Sequence, residues 1–579
     1  MITGARSFAA DPIVEAPGEL PAAWVAQLVS CVVDENVNLP DIALLTYRDP
    51  NYELLTATGI TLGTPLNVSV VTVEDRARER LFTGEVTAVE LDSDSTGTFT
   101  VIRASSKAHR LQRGRKVRAF RDMRTADIVR RVAAGAGLGC GRVEAPPITH
   151  KQLTQANVSD WEFLQQLAGE SGARVRLDDK GLLEFVKPEP ASGGSPVELV
   201  RGDNLLVLRA VLTGAEGADD VEVRGWNVTT KKPLVAREPS VRSTTVVPGL
   251  SPSVVGKAFG SSARTTVADT PYRTQAETAA VAGAAAAAVS AGFGEIEAVA
   301  KGDPKLRAGE PLVLATAGAA FSGRYTATAA HHVLEPDGGY RTTVLVSAAS
   351  DRSLAGLATG GNAPARGPRL PGLAIGVVTD VREDGSERGW VRLTFPWLDD
   401  TYVTDWVRTV QWGGQGGGGV FSPEVNDEVL VGFEQGLLDS PYVLGGLYNG
   451  VDKPSPHDVP LVDAASGKVN RRSLVSRSGN RLELLDAPRG PSGVRLASGD
   501  KRLEVMLDER RDRIELTVYG PGGTRPSSSV TLSPTGITLD AGTGDVTING
   551  RSVNVNGTAD VTVSGGLLAV LKAKLIRIN

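Results

Sequence analysis

Between Val546 and Gly565 apolar residues alternate with small polar ones, and a glycine closes each short run: Val546-Thr-Ile548-Asn-Gly550, Val553-Asn-Val555-Asn-Gly557 and Val561-Thr-Val563-Ser-Gly565. The apolar starts fall 7 and 8 residues apart. A period of two belongs to a strand with one dry face and one wet face. Each unit is too short to bury its own apolar face and needs copies stacked beside it. The pattern predicts a β-solenoid or an intertwined β-prism. Either is a stiff rod, which suggests mechanical work.

The same period runs through much of the chain. Leu66-Asn-Val68-Ser-Val70, Phe82-Thr-Gly84-Glu-Val86 and Phe99-Thr-Val101 read as strands separated by turn clusters such as Asp92-Ser-Asp94-Ser. They predict a small antiparallel barrel or sandwich. Helical spacing then appears in Thr125-Ala-Asp-Ile128-Val129-Arg-Arg-Val132-Ala133, with Thr125 as the expected N-cap. A second helix is predicted after Ser159, where Ser159 and Glu162 have capping-box spacing, ending near Gly169–Gly172. Arg174–Leu177 and Leu182–Phe185 read as a hairpin across Asp178-Asp-Lys-Gly181. Strand patterns resume from 197 to 350, interrupted by an Ala-rich helix around 275–291. The Gly-, Pro- and Ala-rich stretch 353–371 reads as a linker.

The chain has 579 residues, too many for one core, so about three to five domains are expected. Its 66 glycines and 5% aromatics suit many short strands and turns. A net charge of −5 gives no global pull on nucleic acid. Cys31 and Cys140 are too few for a disulfide framework, consistent with synthesis in a reducing cytosol. Residues 1–18 carry Arg6, Asp11 and Glu15 and lack the apolar run of a secretion signal. The uncharged stretch Thr278–Gly294 is mostly alanine and reads as a helix of a soluble protein, not a bilayer span. No resident membrane segment is expected.

Candidate chemistry is sparse. Gly414-Gln-Gly416-Gly-Gly-Gly419 satisfies GxGxxG, but Pro423 and strand residues follow where a dinucleotide site needs a helix. A loop between strands is the reading. His331 and His332 are neighbours, so on a strand they point to opposite faces and cannot share a metal. No HExxH, CxxC or GxSxG occurs. Cys140, in Gly139-Cys-Gly141, reads as a turn or buried thiol rather than a nucleophile. Asp178-Asp179 and Asp399-Asp400 read as solvated turns. No catalytic residue, metal or cofactor is assigned.

The stretch from Leu373 to Gly450 resembles the OB-fold domain of VgrG and tailed-phage baseplate spike proteins. The resemblance rests on Gly376–Asp380, Trp390–Asp400, Trp406–Arg408, Pro423–Phe433 and Asp439–Asn449, in that order and spacing. Ser159–Leu164, Gly302–Gly309 and Gly323–Tyr325 are similar to the hub half of the same family. The repeat near the end looks like its trimeric prism. The implied fold is mainly β: hub β-barrels with an α/β insert, an OB-fold module and a trimeric β-prism (β-helix) spike. The boundaries expected are 1–105 for the first hub barrel, 106–190 for the insert and 191–352 for the second barrel with its Ala-rich helix. A linker at 353–371, the OB-fold at 372–450, a connector at 451–468 and the spike at 469–579 follow.

The resemblance implies a homotrimer at the tip of a contractile particle, assembled in the cytoplasm, that joins a sixfold inner tube to a threefold puncturing needle. The implied partners are the inner tube protein, other baseplate proteins, possible effector cargo and a PAAR-type tip protein. Three chains would bury Val546, Ile548, Val553, Val555, Val561 and Val563 along one axis. The tip protein would dock on Leu575, Ile576, Arg577, Ile578 and Asn579. About 20 residues between Gly450 and Val469 leave no room for the lysozyme domain of some phage spikes. The strand pattern running to Asn579 leaves none for a later effector domain. A bare, non-enzymatic spike is therefore expected, most like that of extracellular contractile particles, with a type VI secretion spike as the alternative. A reading of another class is a β-solenoid adhesin or carbohydrate-active enzyme. Sugars stack on rings, and no aromatic residue follows Tyr519, which favours the spike.

Overall fold

The computed structural model describes residues 8–73, 76–214, 217–241, 245–249, 254, 258–260, 262–336, 338–347 and 372–578. The expected linker 353–371 and Asn579 lie outside these residues. The fold is mainly β, with 44% of residues in strands and 11% in helices. The chain divides into two compact units, Met1–Leu447 and Tyr448–Asn579.

In the first unit, a ten-stranded sheet carries strands from both ends of the hub region. Leu28–Asn36 pairs antiparallel with Ala329–Glu335, so that Val33 faces His332. Strands between residues 13 and 105 extend it on one side; Gly339–Val346, Gly294–Lys301 and Leu205–Leu212 extend it on the other. One core gathers around Val33, Leu45, Val68 and Ile102, and a second around Leu199, Ala298, Leu312 and Tyr325. Gly302 is required by close approach: a Cβ there would meet the Tyr340 ring at 2.0 Å.

The helix Asp160–Ser171 begins with the expected capping box, Ser159 with Glu162, and ends at left-handed Gly172. Thr125 is not the N-cap. The helix Thr125–Gly135 is preceded by Arg124, which makes no capping hydrogen bond, and the Thr125 hydroxyl pairs with His150 Nε2 at 2.9 Å. The Ala-rich helix spans Gln275–Ala291, and its own capping box, Thr274 with Glu277, escaped the sequence reading. Arg174–Leu177 and Leu183–Val186 form the expected hairpin.

The ribbon formed by Lys116–Arg124 and Thr149–Val158 packs against the module that begins at Leu373. That module is a five-stranded sheet around Val378, Leu393, Phe395, Val429 and Val431. Val117, Ala119 and Ala156 of the ribbon join this core. Tyr402 Oη accepts from Gln152 Nε2 at 3.0 Å and contacts Thr154 Oγ1 at 3.2 Å, and Asp439 Oδ2 accepts from the Thr154 amide at 3.0 Å. Burial pushes the Asp439 carboxyl up, and the bonds from Thr154 pull it back only in part. The ribbon thus covers barrel surface that would otherwise be free.

The second unit contains a seven-stranded antiparallel meander, Arg471–Val475, Arg481–Asp486, Ser492–Ala497, Leu503–Asp508, Arg513–Tyr519, Pro526–Ser533 and Gly536–Asp540.

Candidate functional site

The meander has one apolar and one polar face, and its exposure is the reverse of a monomeric sheet's. The register aligns one apolar residue from each strand: Leu474, Leu482, Leu496, Val505, Leu516, Val530 and Leu539. A parallel row runs Leu484, Val494, Leu507, Ile514, Leu532 and Ile537. This face is open: Leu496 and Leu516 are 45% exposed and Leu539 58%. A trough of about 930 Å³ lies along it, lined by Leu496, Val505, Leu516, Val530, Leu539 and Val546. Contiguous apolar surface of this kind marks an association surface.

The polar face is partly covered by the preceding connector. Glu483 there is fully buried, and the residue facing it across the strands is Arg495. Arg495 Nε donates to Glu483 Oε2 at 2.8 Å, and Nη2 reaches Asp458 Oδ1 at 2.9 Å. The Val459 amide donates to His457 Nδ1 at 2.7 Å, which leaves Nε2–H to meet Glu483 Oε1 at 2.8 Å. Burial raises the Glu483 carboxyl, but the bonds from His457 and Arg495 outweigh it and hold it below its usual range. The Arg495 guanidinium holds Asp458 at about 2. These groups anchor connector to sheet, and charge compensation is nearly complete, as a structural lock requires.

The repeat itself departs from expectation in a single chain. Val546, Ile548, Val553, Val555, Val561 and Val563 lie in no strand and are 53–84% exposed. Among the described residues, no backbone hydrogen bond is made within the chain beyond the turn from Gly544 to Ala541. The alternation is real, but one chain supplies no second strand edge to satisfy it. Leu575, Ile576 and Ile578 are likewise exposed, at 68%, 48% and 85%, and Arg577 is exposed beside them; Asn579 lies outside the described residues.

The other candidates sit apart from this surface and from one another. Gly414–Gly419 lies in a loop between the strands Arg408–Thr409 and Glu428–Phe433. His331 pairs with Asp34, while His332 is buried on the opposite face beside Tyr340 and Thr342 and is depressed to about 3 by that burial. Cys31 is buried and pushed up to about 12, and burial also raises Cys140. The sheet face of 474–539 was missed as a site by sequence reading. Its signal was present in the odd–even alternation of Leu482-Glu-Leu484 and Ile514-Glu-Leu516-Thr-Val518.

Residues 374–448 match the family described as the type VI secretion system/phage-baseplate injector OB domain. Residues 56–335 match the family described as the Alg8 N-terminal domain. The chain is 37% identical over 160 residues to the type VI secretion system spike protein VgrG4b of Pseudomonas aeruginosa, 26% of this chain and 17% of that one. It is 32% identical over 106 residues to VgrG2a of the same bacterium, 17% of this chain and 12% of that one. The alignments thus span less than a fifth of these relatives' length. Among solved structures, an E. coli type VI secretion component described as similar to bacteriophage T4 tail proteins is 13% identical. It covers 73% of this chain and 97% of its own, with a TM-score of 0.46. A Francisella PdpA–VgrG complex is 11% identical, covering 89% of this chain and 76% of its own, with a TM-score of 0.44.

Proposed function

Because the chain belongs to the family of VgrG and phage baseplate hub-spike proteins, we propose that it is the non-enzymatic, homotrimeric spike of a contractile injection particle. The observation that carries this is the segment 545–578: apolar at every second position of its repeats, exposed, and without an internal backbone hydrogen bond. Buried backbone groups need partners, and open strand edges seek them. Three copies winding together satisfy both needs and bury the trimer-core residues along one axis. At about 25 cal/mol per Å², that burial is on the order of 10 kcal/mol per chain before entropy. A closed prism is stiff and transmits thrust without chemistry. We assign the hub region to the inner tube and baseplate side and the prism to the puncturing side, with the domain boundaries set out above. The extracellular type of particle is preferred over a type VI system.

Sedimentation of the purified chain is expected to give a trimer that resists SDS at room temperature. A folded monomer at micromolar concentration would overturn the reading.

The tip protein is assigned to Leu575, Ile576, Arg577, Ile578 and Asn579. The apolar members of this run remain exposed, and a partner must cover them. Replacing Ile576 by Asp should abolish co-purification with a PAAR-type tip protein while leaving the trimer intact. Undiminished co-purification would place the tip elsewhere.

A further inference from the structure

A second surface lies on the OB-fold module and goes beyond the spike reading. Val391 and Val407 bridge neighbouring segments and point into the core, at 0% and 3% exposure. Alternation therefore places Trp390, Arg392, Trp406 and Arg408 together on the outer face. Their side chains stack in pairs. The Arg388 guanidinium lies 4.0 Å from the Trp390 ring centre, Arg392 4.7 Å from Trp406, and Arg408 5.4 Å from Tyr442.

The pairs differ in charge balance. Arg388 is held by Glu383, and the nearby Glu434 carboxylate accepts from the Tyr442 hydroxyl at 2.7 Å. No carboxylate among the described residues lies within ion-pair distance of Arg392 or Arg408, and Arg392 Nε is buried with no hydrogen-bond partner. Each guanidinium is thus held over a ring, and its terminal N–H groups have no carboxylate partner among the described residues. That geometry favours bidentate capture of phosphate, sulfate or carboxylate groups. As diagonal neighbours across the ribbon, the two residues have Cβ atoms somewhat less than about 7–8 Å apart.

The same face continues along the chain to Trp412, 72% exposed, whose ring meets Phe421 at 4.5 Å between centres. Val420 of that loop approaches Gly389, which keeps the loop beside Trp390. Arg408 and Trp412 are four positions apart along the chain, a span of at most about 13 Å. At this exposure much of the Trp412 ring is open to solvent and available for stacking.

We propose that this face of the OB-fold module binds an anionic oligosaccharide: Arg392 and Arg408 take its charged groups and Trp412 stacks on a sugar ring. Single-stranded nucleic acid fits less well, because it needs a series of free aromatic faces for successive bases, and here guanidinium groups cover Trp390, Trp406 and Tyr442. OB-folds bind oligosaccharides or oligonucleotides on their strand faces.

The test uses the full chain and a sulfated heparin-derived hexasaccharide, with neutral dextran hexasaccharide and a (dT)6 oligonucleotide as comparisons, measured by calorimetry at low and at moderate salt. The sulfated sugar should bind, weaken with salt, and lose at least tenfold in affinity in R408Q and severalfold in W412A. R408K should recover little, because an ammonium group does not reproduce the fixed fork. Arg408 and Trp412 are exposed, so these variants should keep the native circular dichroism. Comparable binding of the dextran, tighter binding of (dT)6, or sulfated-sugar binding unchanged in R408Q and W412A would each overturn the proposal, as would no binding at all.

Discussion

Replacing Leu516 by Asp is expected to convert the proposed trimer into a folded monomer. Leu516 sits in the middle of the seven-residue apolar row and is already 45% exposed in one chain, so the lone protomer loses little when it becomes charged. In the trimer, three carboxylates would be pressed into the association surface without cationic partners, and burying an unpaired charge costs several kcal/mol each. Per chain this offsets a large part of the on-the-order-of-10 kcal/mol, before entropy, that apolar burial along the repeat supplies. Thr538→Asp is the matched control, because Thr538 pairs with Thr531 on the opposite, polar face. It should sediment as the native chain does. Val555→Asp should act like Leu516→Asp, whereas Thr547→Asp, on the other side of the repeat, should be tolerated. If Leu516→Asp and Thr538→Asp sediment alike as trimers, the apolar face is not the association surface.

The elements legible in the sequence were those whose cause is local. The Ser159–Glu162 capping box, the 174–186 hairpin and the Ala-rich helix each follow from residues a few positions apart. So did the opposite orientations of His331 and His332, which need only the strand period. What escaped depends on partners far along the chain or on another chain. Thr125 has the chemistry of an N-cap, but His150, brought in by the facing strand, captures its hydroxyl. The strands 28–36 and 329–335 lie side by side although paired Val33 and His332 are 299 positions apart (332 − 33), a juxtaposition no local pattern encodes. The ladder expected at 546–563 is absent from a single chain, which makes no backbone hydrogen bond there; in the proposed trimer its partners would belong to other copies. Arg392 and Arg408 fall within the family-like stretches of the OB-fold module, yet that no carboxylate among the described residues pairs with them is visible only in three dimensions.

The Glu483 lock gives the second large effect. Arg495→Ala should destabilise the meander locally by about 3 kcal/mol, the lower end of the cost of orphaning a buried charge. It removes two charge-assisted bonds from Glu483 and leaves that carboxylate buried with only His457, Ser473 and the more distant Arg481. Hydrogen exchange in Arg481–Asp486 and Ser492–Ala497 should accelerate on the order of a hundredfold, since 1.36 kcal/mol corresponds to tenfold. Replacing Glu483 and Arg495 together by leucine should recover part of the loss, because it removes the buried unpaired carboxylate and leaves only His457 Nε2–H and the more exposed Asp458 without their partners. The pH dependence has a definite sign. Glu483 and Asp458 are both held below their usual range, so their contribution is fully present above the ordinary carboxylate pKa. It fades as pH falls through their folded values, which for Asp458 means about 2. The gap between native chain and Arg495→Ala should therefore be full at pH 7 and narrow below about pH 4. Protonation relieves the orphaned Glu483 in the variant while it uncouples the cluster in the native chain. A gap that stayed constant down to pH 2, or a double leucine variant as unstable as Arg495→Ala, would mean that Arg495 acts through packing of its stem and not through charge.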